Sequence, residues 1–265
     1  MVNQKSKILW NQRIQSKYYR IGFESSDISN HALPGQFVMV RISHHGAPLL
    51  RRPFSIHRLI KKNGKKIGFE LLYKIVGQGT QIMAQLKNND ELDIIGPLGN
   101  GFQVPNMITK AVIVSGGMGV APMIFLGDWV IEKRIKTDHY IGAKTNEDIL
   151  CLNELSHMGI VSEVATDDGS LGQKGFVSEL LMEGISKEKP DIIFSCGPNP
   201  MLKAIAGIAK KNQIPCQISL ETHMACGMGA CLGCAIKRPD FSNGFLHTCI
   251  EGPVVYTDQV DITQL

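Results

Sequence analysis

No long basic run occurs in these 265 residues. The 28 Lys and Arg against 24 Asp and Glu leave a formal charge of +4. The pairs Lys61-Lys62 and Lys65-Lys66 only bracket a turn-like Asn63-Gly64. Charge this diffuse predicts no nucleic-acid partner. A long apolar run is missing too. The uncharged stretch Ala111 to Leu126 is broken by glycines and Pro122, and Asp128 follows before the roughly 20 residues that a bilayer requires, so no membrane span is expected. Met1 to Lys7 lack the apolar segment and small-residue cleavage site of a secretory signal, which predicts a cytoplasmic protein. Ser-His-Asp, HExxH and Walker patterns are absent, as are repeats and low-complexity linkers.

What remains is an ordinary folded composition, 43% hydrophobic and 20% charged, in a length that allows one large domain or two to three small ones. The uneven number is cysteine. Cys151, Cys196 and Cys216 stand alone, while Cys226, Cys231, Cys234 and Cys249 crowd the last forty residues. In a reducing compartment such a cluster binds metal more often than it forms disulfides.

The first hundred residues alternate short strands and turns. Gln36 to Ile42, Ile67 to Val76 and Glu91 to Ile95 are β-branched or alternating and bounded by Pro34-Gly35, Asn63-Gly64 and Gly96-Pro97, which predicts an antiparallel barrel or sandwich. After Pro105 strand-like runs at Ala111 to Val114, His139 to Gly142, Ile160 to Ala165 and Asp191 to Ser195 alternate with helical ones at Val120 to Lys136, Val177 to Ile185 and Pro200 to Lys211. Such alternation predicts a parallel sheet with helices on its faces. The expected fold is therefore α+β and multidomain: a barrel over 1–102, an α/β unit over 103–215 and a small cysteine-rich unit over 216–265.

The most specific signal is Cys226-x4-Cys231-x2-Cys234-x14-Cys249, whose first three cysteines have the plant-type spacing for a 2Fe-2S cluster. Gly227, Gly229 and Gly233 permit the positive φ angles that turn backbone N–H groups toward sulfur, and Ala230 leaves room beside the metal. A structural zinc site is the alternative, although it typically joins two C-x2-C knuckles and only one is present.

Arg51-Arg52-Pro53-Phe54-Ser55 can aim a guanidinium and a hydroxyl at a diphosphate. Taken alone it reads rather as an ordinary barrel strand with an exposed Arg. With Leu72-Tyr73-Lys74 and Gly79-Thr80 it becomes a candidate flavin site, Tyr73 stacking on a ring and the Gly79 and Thr80 amides meeting phosphate at a helix start over Thr80 to Leu86.

Ser115-Gly116-Gly117-Met118-Gly119-Val120-Ala121-Pro122 sits between a buried strand and a helix, the context of a dinucleotide site, though its G-G-x-G-x-x-P departs from the usual Rossmann fingerprint. Cys196-Gly197-Pro198 ends another strand before a helix. Cys196 is either a small buried residue or a nicotinamide contact. NAD is not distinguished from NADP, since Glu147 and Asp138 are merely within range of a ribose. His44, His45, His223 and His247 lack metal-ligand spacing and read as solvated or packing residues, and Met118, Met123, Met224 and Met228 as packing.

A flavin site, a nicotinamide site and an iron-sulfur loop in this order resemble the ferredoxin reductase superfamily. Arg52-Pro-Phe-Ser55, Gly96-Pro-Leu-Gly-Asn-Gly-Phe102, Ala165-Thr-Asp-Asp-Gly-Ser170 and Met224-Ala-Cys-Gly-Met-Gly-Ala-Cys231 are similar to the electron-transfer subunits of NAD-linked (type B) dihydroorotate dehydrogenases, over nearly the whole chain. The resemblance implies an oxidoreductase subunit of pyrimidine (UMP) biosynthesis that pairs with an FMN-containing catalytic subunit, two of each chain. Electrons would pass through 2Fe-2S and FAD to NAD+. It implies cluster ligation by Cys226, Cys231, Cys234 and Cys249, FAD held by Arg52, Pro53, Phe54, Ser55, Leu72, Tyr73, Lys74, Gly79 and Thr80, and NAD faced by Gly116 to Gly119 and Cys196 to Pro198. Lys74 stands where the family often has Arg, so the bidentate fork on the flavin phosphate is lost. No residue set resembles a dihydroorotate site, and no catalytic residue or dihydroorotate oxidation is expected of the chain alone. Two other readings remain: a reductase subunit of a sulfite reductase, hydrogenase or ferredoxin transhydrogenase, and a non-enzymatic zinc module.

Overall fold

The computed structural model describes residues 1–42, 48–239 and 244–265. His44 and His45 lie outside the described residues. Strands β1 (Val2–Gln15), β2 (Tyr18–Glu24), β3 (Phe37–Arg41), β4 (Arg52–Lys62), β5 (Lys65–Lys74) and β6 (Glu91–Leu98) close an antiparallel barrel in the order β1-β2-β5-β4-β3-β6. Closure pairs every strand on both sides and leaves no sheet edge. Inward-pointing Ile21, Phe23, Val38, Val40, Ile56, Phe69, Leu71 and Ile94 fill its core, which also takes Phe125 from outside the barrel. Helix α1 (Ser26–His31) follows β2, and α2 (Gln78–Gln85) joins β5 to β6.

The second body is a seven-stranded sheet. Its members are β7 (Lys110–Gly116), β8 (Lys136–Ala143), β9 (Val161–Thr166), β10 (Gln173–Lys174), β11 (Ile192–Cys196), β12 (Cys216–Ser219) and β15 (Val254–Tyr256), in the order β10-β9-β8-β7-β11-β12-β15. All pairings are parallel except β12 with β15. β7 is buried along its whole length, as a central strand covered on both faces must be. Helices α3 (Val120–Glu132), α4 (Leu152–His157), α5 (Val177–Lys187) and α6 (Asn199–Lys211) cover the faces. A small hairpin, β13 (Ala235–Lys237) with β14 (Phe245–His247), carries the rest of the cysteine-rich segment.

The sheet does not stop at the expected division at residue 216. Cys216 to Ser219 are all buried and pair with β11, so β12 completes this sheet, and β15 returns from the far end of the chain to cover its edge. The last fifty residues therefore share their core with both larger bodies: Leu246, Val255 and Val260 pack on the sheet, while Cys234 and Cys249 pack on Phe37, Met39, Ile95 and Leu98 of the barrel. The uncharged stretch that begins at Ala111 is divided between β7, a 3-10 turn (Gly117–Gly119) and α3. Among the described residues no helix is long and apolar enough to cross a membrane.

Candidate functional site

The strand order reverses between β7 and β11: after β7 the chain builds outward through β8 and β9, then crosses back to β11. At such a switch point the connections leave in opposite directions and open a crevice at the carboxyl ends of the strands, where α/β sheets take ligands. Its two lips are the Gly116–Gly119 loop and Cys196-Gly197-Pro198. They touch. A Cβ at Gly119 would stand 2.1 Å from the Cys196 carbonyl oxygen, and one at Gly116 would meet Met201 Sδ at 2.6 Å and Pro198 Cδ at 2.8 Å. These two glycines are demanded by the neighbouring loop rather than by a ligand. Gly117 differs: its φ is +51° and nothing lies within 4 Å of a Cβ there, so it is the one whose backbone faces open space. Burial pushes the Cys196 thiol up to about 12 against an opposing hydrogen bond with Ser219, which makes it a poor nucleophile at neutral pH.

The facing wall belongs to the barrel. Of the two adjacent arginines, Arg51 is committed to the fold through Asp93, with Nη2 to Oδ2 at 2.9 Å. Among the described residues Arg52 donates only to the backbone oxygens of Leu50 and Arg51, so no carboxylate there neutralises its charge. Tyr73 is buried; its hydroxyl donates to Asn11 Oδ1 at 3.0 Å and its ring stacks on Tyr19 at 5.5 Å and meets Phe54 edge-on at 6.2 Å. It is a fixed buttress of this wall. Thr80 also has a structural task. Its Oγ1 accepts from the amides of Val76 (2.9 Å) and Gly77 (3.2 Å) and so caps α2. The first N–H groups of α2, at Gln78, Gly79 and Thr80, have no carbonyl within the helix and supply the anion-binding end.

Lys74 donates to Asp148 Oδ1 at 3.0 Å and lies 4.8 Å over the Tyr18 ring, and the Tyr18 hydroxyl donates to the same carboxylate. The hydrogen bond to Tyr18 first, then that to Lys74, hold the Asp148 carboxyl below its usual range. This trio ties the barrel to the second body beside the crevice.

The cysteine loop rests on the barrel end: a Cβ at Gly227 would stand 2.4 Å from Met39 Cγ. Gly227 (φ +73°) and Gly229 (φ +80°) turn the chain so that amides face sulfur. Met228 N–H and Cys231 N–H each donate to Cys226 Sγ at 3.4 Å, and Gly229 N–H donates to Cys249 Sγ at 3.2 Å. Cys234 Sγ lies 3.2 Å from Cys249 Sγ. Burial alone would raise the Cys226 thiol, but the amides of Met228 and Cys231 outweigh it and bring it to about 7, toward the thiolate that ligates metal. Among the described residues no three His, Cys, Asp or Glu side chains converge as they would around a single ion. The sulfurs of Cys226 and Cys249, both met by backbone amides, have the surroundings an anionic iron-sulfur cluster requires.

One cleft of about 1670 Å³ joins these parts. Arg52, Pro53, Phe54, Ser55, Leu72, Tyr73, Lys74, Gly79, Thr80, Gly116, Gly117, Gly119, Cys196, Gly197 and Pro198 all line it, and Met224, Ala225 and Gly233 of the cysteine loop reach its wall. The volume exceeds the roughly 300–1,000 Å³ of a site for one small ligand, as two adjoining dinucleotides need. Sequence reasoning missed Asp148, Asp167 and Phe176, which also line it, and set His223 aside although it lies on the wall. Glu147 and Asp138 do not line the cleft; Asp138 pairs with Lys110 at 3.1 Å instead.

Comparison with known proteins agrees with this geometry. Family models described as an oxidoreductase FAD-binding domain, an oxidoreductase NAD-binding domain and the iron-sulfur cluster binding domain of dihydroorotate dehydrogenase B match residues 2–102, 113–207 and 221–261. The dihydroorotate dehydrogenase B (NAD(+)) electron transfer subunit of Desulforamulus reducens is 38% identical, covering 96% of this chain and 97% of its own. That of Enterococcus faecalis is 34% identical, with 96% of each chain covered. Among solved structures, a chain of the NADH-dependent reduced ferredoxin-NADP oxidoreductase superposes with a TM-score of 0.85 at 27% identity, over 98% of this chain and 91% of that one. The cytochrome b5 reductase domain of Ulva prolifera nitrate reductase, at 18% identity and a TM-score of 0.67 over 80% of this chain and 94% of that one, shares the fold. The chain belongs to the electron transfer subunits of NAD-dependent dihydroorotate dehydrogenase B, a family of ferredoxin reductase fold that carries FAD, NAD and iron-sulfur binding domains.

Proposed function

We propose that Arg52, Pro53, Phe54, Ser55, Leu72, Tyr73, Lys74, Gly79 and Thr80 hold FAD, that Gly116, Gly117, Gly119, Cys196, Gly197 and Pro198 take NAD, and that Cys226, Cys231, Cys234 and Cys249 ligate the 2Fe-2S cluster. The observation that carries this reading is one cleft that the first two sets line and that Met224, Ala225 and Gly233 of the cysteine loop border. As a member of its family the chain carries electrons for NAD-dependent dihydroorotate dehydrogenase, an oxidoreductase of pyrimidine biosynthesis. FAD supplies the exchange between one-electron and two-electron transfer, and the cluster supplies one-electron carriage. The protein's part is placement. The α2 amides and Arg52 neutralise a diphosphate, Tyr73 and Phe54 make an apolar flank, and the amides at Cys226 and Cys249 stabilise anionic sulfur.

The partner in this reading is the FMN-containing catalytic subunit, two copies of each chain, in the cytoplasm. Mixing the FAD- and cluster-loaded chain with a dihydroorotate-oxidising FMN subunit is expected to give dihydroorotate-dependent NAD+ reduction and a complex with the mass of two plus two chains. No gain in that rate over the FMN subunit alone removes the partner assignment. A spectrum lacking flavin and iron-sulfur bands, with stoichiometric zinc, removes the redox reading of the sites.

A further inference from the structure

We infer that the hydroxyls of Thr222 and Thr248 form a relay between the cleft wall and the cluster seat, and that Thr248 is a positioning residue for the cluster ligands Cys234 and Cys249. The inference rests on the reading that these two cysteines ligate the cluster. Thr248 precedes Cys249 in the chain and is wholly buried. A buried hydroxyl is costly unless it is bonded. This one lies 2.6 Å from Thr222 Oγ1 and 3.1 Å from the carbonyl oxygen of Cys234. The Thr248 amide donates to the same oxygen, also at 3.1 Å. One residue therefore holds Cys234 through two hydrogen bonds while its own backbone carries Cys249, and the two sulfurs stand 3.2 Å apart.

Counting protons fixes the direction of the relay. A carbonyl only accepts, so the Thr248 hydroxyl proton goes to Cys234 O. The proton between the two hydroxyls must then be that of Thr222, which donates to Thr248 Oγ1. Donors in series polarise one another, so the Thr222 hydroxyl strengthens the hold of Thr248 on Cys234. The consequence for the loop is electrostatic. Its amides at Met228, Gly229 and Cys231 face sulfur, and a carbonyl turned the same way would repel an anionic cluster. With both lone pairs filled by Thr248, the Cys234 carbonyl is kept from that position.

The relay hangs from the nucleotide-binding sheet. Ser219 at the end of β12 is the register partner of Cys196 on β11 and of Val254 on β15. Leu220 N–H continues the pairing to Pro253 O at 2.9 Å, and two residues later Thr222, which lines the cleft, meets Thr248. The seat has no slack beneath it: a Cβ at Gly252 would stand 3.0 Å from Thr248 O and 3.2 Å from its Cα. A held run of backbone thus joins Cys196, at the lip of the nucleotide crevice, to Cys234. Strand pairing and two hydroxyls, rather than a loose loop, set the placement of the cluster seat relative to the cleft.

The chain loaded with FAD and cluster allows a direct test. Iron extraction by a chelator is followed through the iron-sulfur absorption, the dithionite-reduced cluster is recorded by electron paramagnetic resonance, and flavin bleaching by NADH reports that the rest of the molecule is folded. Thr248→Val keeps the side-chain shape and removes the hydroxyl. Iron is expected to leave about ten-fold faster. The resonance lines should shift, flavin bleaching should keep its rate, and Thr248→Ser should restore both extraction rate and spectrum. Thr222→Val leaves Thr248 bonded to Cys234 but unanchored, and should speed extraction about three-fold. If Thr248→Val yields no folded chain, Thr222→Val decides alone. Unchanged extraction and spectrum in Thr248→Val, failure of Thr248→Ser to restore them, or a Thr222→Val chain identical to wild type overturns the inference while the ligand reading stands. Absence of iron-sulfur bands from the wild-type chain overturns both.

Discussion

Cys231 is exposed while Cys234 and Cys249 are buried against the barrel, so the four sulfurs have unequal structural duties. Replacing Cys231 by Ser removes a sulfur without opening the packed side of the loop. The expected result is loss of the iron-sulfur absorption and of electron passage from the partner subunit, with NADH oxidation by an artificial acceptor retained; equal loss of both rates places the cluster elsewhere in the path. The cysteine pattern was legible because spacing along a loop is local information. The task of Thr80 was not. A Thr after Gly79 suits phosphate contact and helix capping alike, and only the 2.9 and 3.2 Å bonds to Val76 and Gly77 decide for the cap. Phe176 escaped for a related reason, since only the packed sheet and its helices bring it to the cleft.

At the scale of elements, α2 matters because a helix of eight residues is marginal alone and its N-terminus is the part that faces the cleft. Thr80→Val removes the cap and is expected to cost about 1 kcal/mol of stability and to loosen FAD, with Thr80→Ser restoring both. Thermal melts and FAD release on dilution check this; unchanged FAD retention in Thr80→Val shows that the α2 amides do not hold the cofactor. Which elements could be read in advance follows from burial. β3, β7 and β11 are nearly continuous apolar runs, and the structure shows them within a residue or two of the expected bounds. β1, Val2–Gln15, was not foreseen: six of its residues are exposed and only Ser6 and Ile8 are buried, so its alternation is diluted by polar residues on both faces. β12 and β15 are four and three residues long and acquire meaning only as the covered edge of a sheet already built.

For the whole molecule, the cleft exists only while the barrel and the nucleotide-binding sheet keep their mutual placement, and that contact is part ionic and part apolar. Arg58 grips Asp128 at 2.8 Å through both Nε and Nη2, Arg20 pairs with Glu154 at 2.9 Å, and Tyr18 and Leu72 of the barrel pack with Val120, Ala121 and Ile124 of α3. At the centre His57 of β4, fully buried, donates from Nδ1 to Ala121 O at 2.7 Å, while its Nε2 has no partner among the described residues. Burial pushes the His57 imidazole down to about 4, the Ala121 carbonyl opposing, Arg20 and Arg58 adding to the fall and Glu154 resisting it. In the unfolded chain the same group titrates at its ordinary value of 6.5. Between those two values the unfolded state binds a proton that the folded state refuses, so stability is intact above about pH 6.5 and declines as the pH drops toward 4, by roughly 3 kcal/mol in all. His139, buried and brought to about 3, adds a decline of the same sign. His57→Gln keeps an N–H for the Ala121 carbonyl but cannot titrate, so its stability should fall less steeply over this window. Trp10 on the barrel and Trp129 on α3 report each body by fluorescence during denaturant unfolding at a series of pH values. Parallel curves for wild type and His57→Gln would mean that the proton is taken up elsewhere and that this histidine is not what makes the joint between the two bodies sensitive to acid.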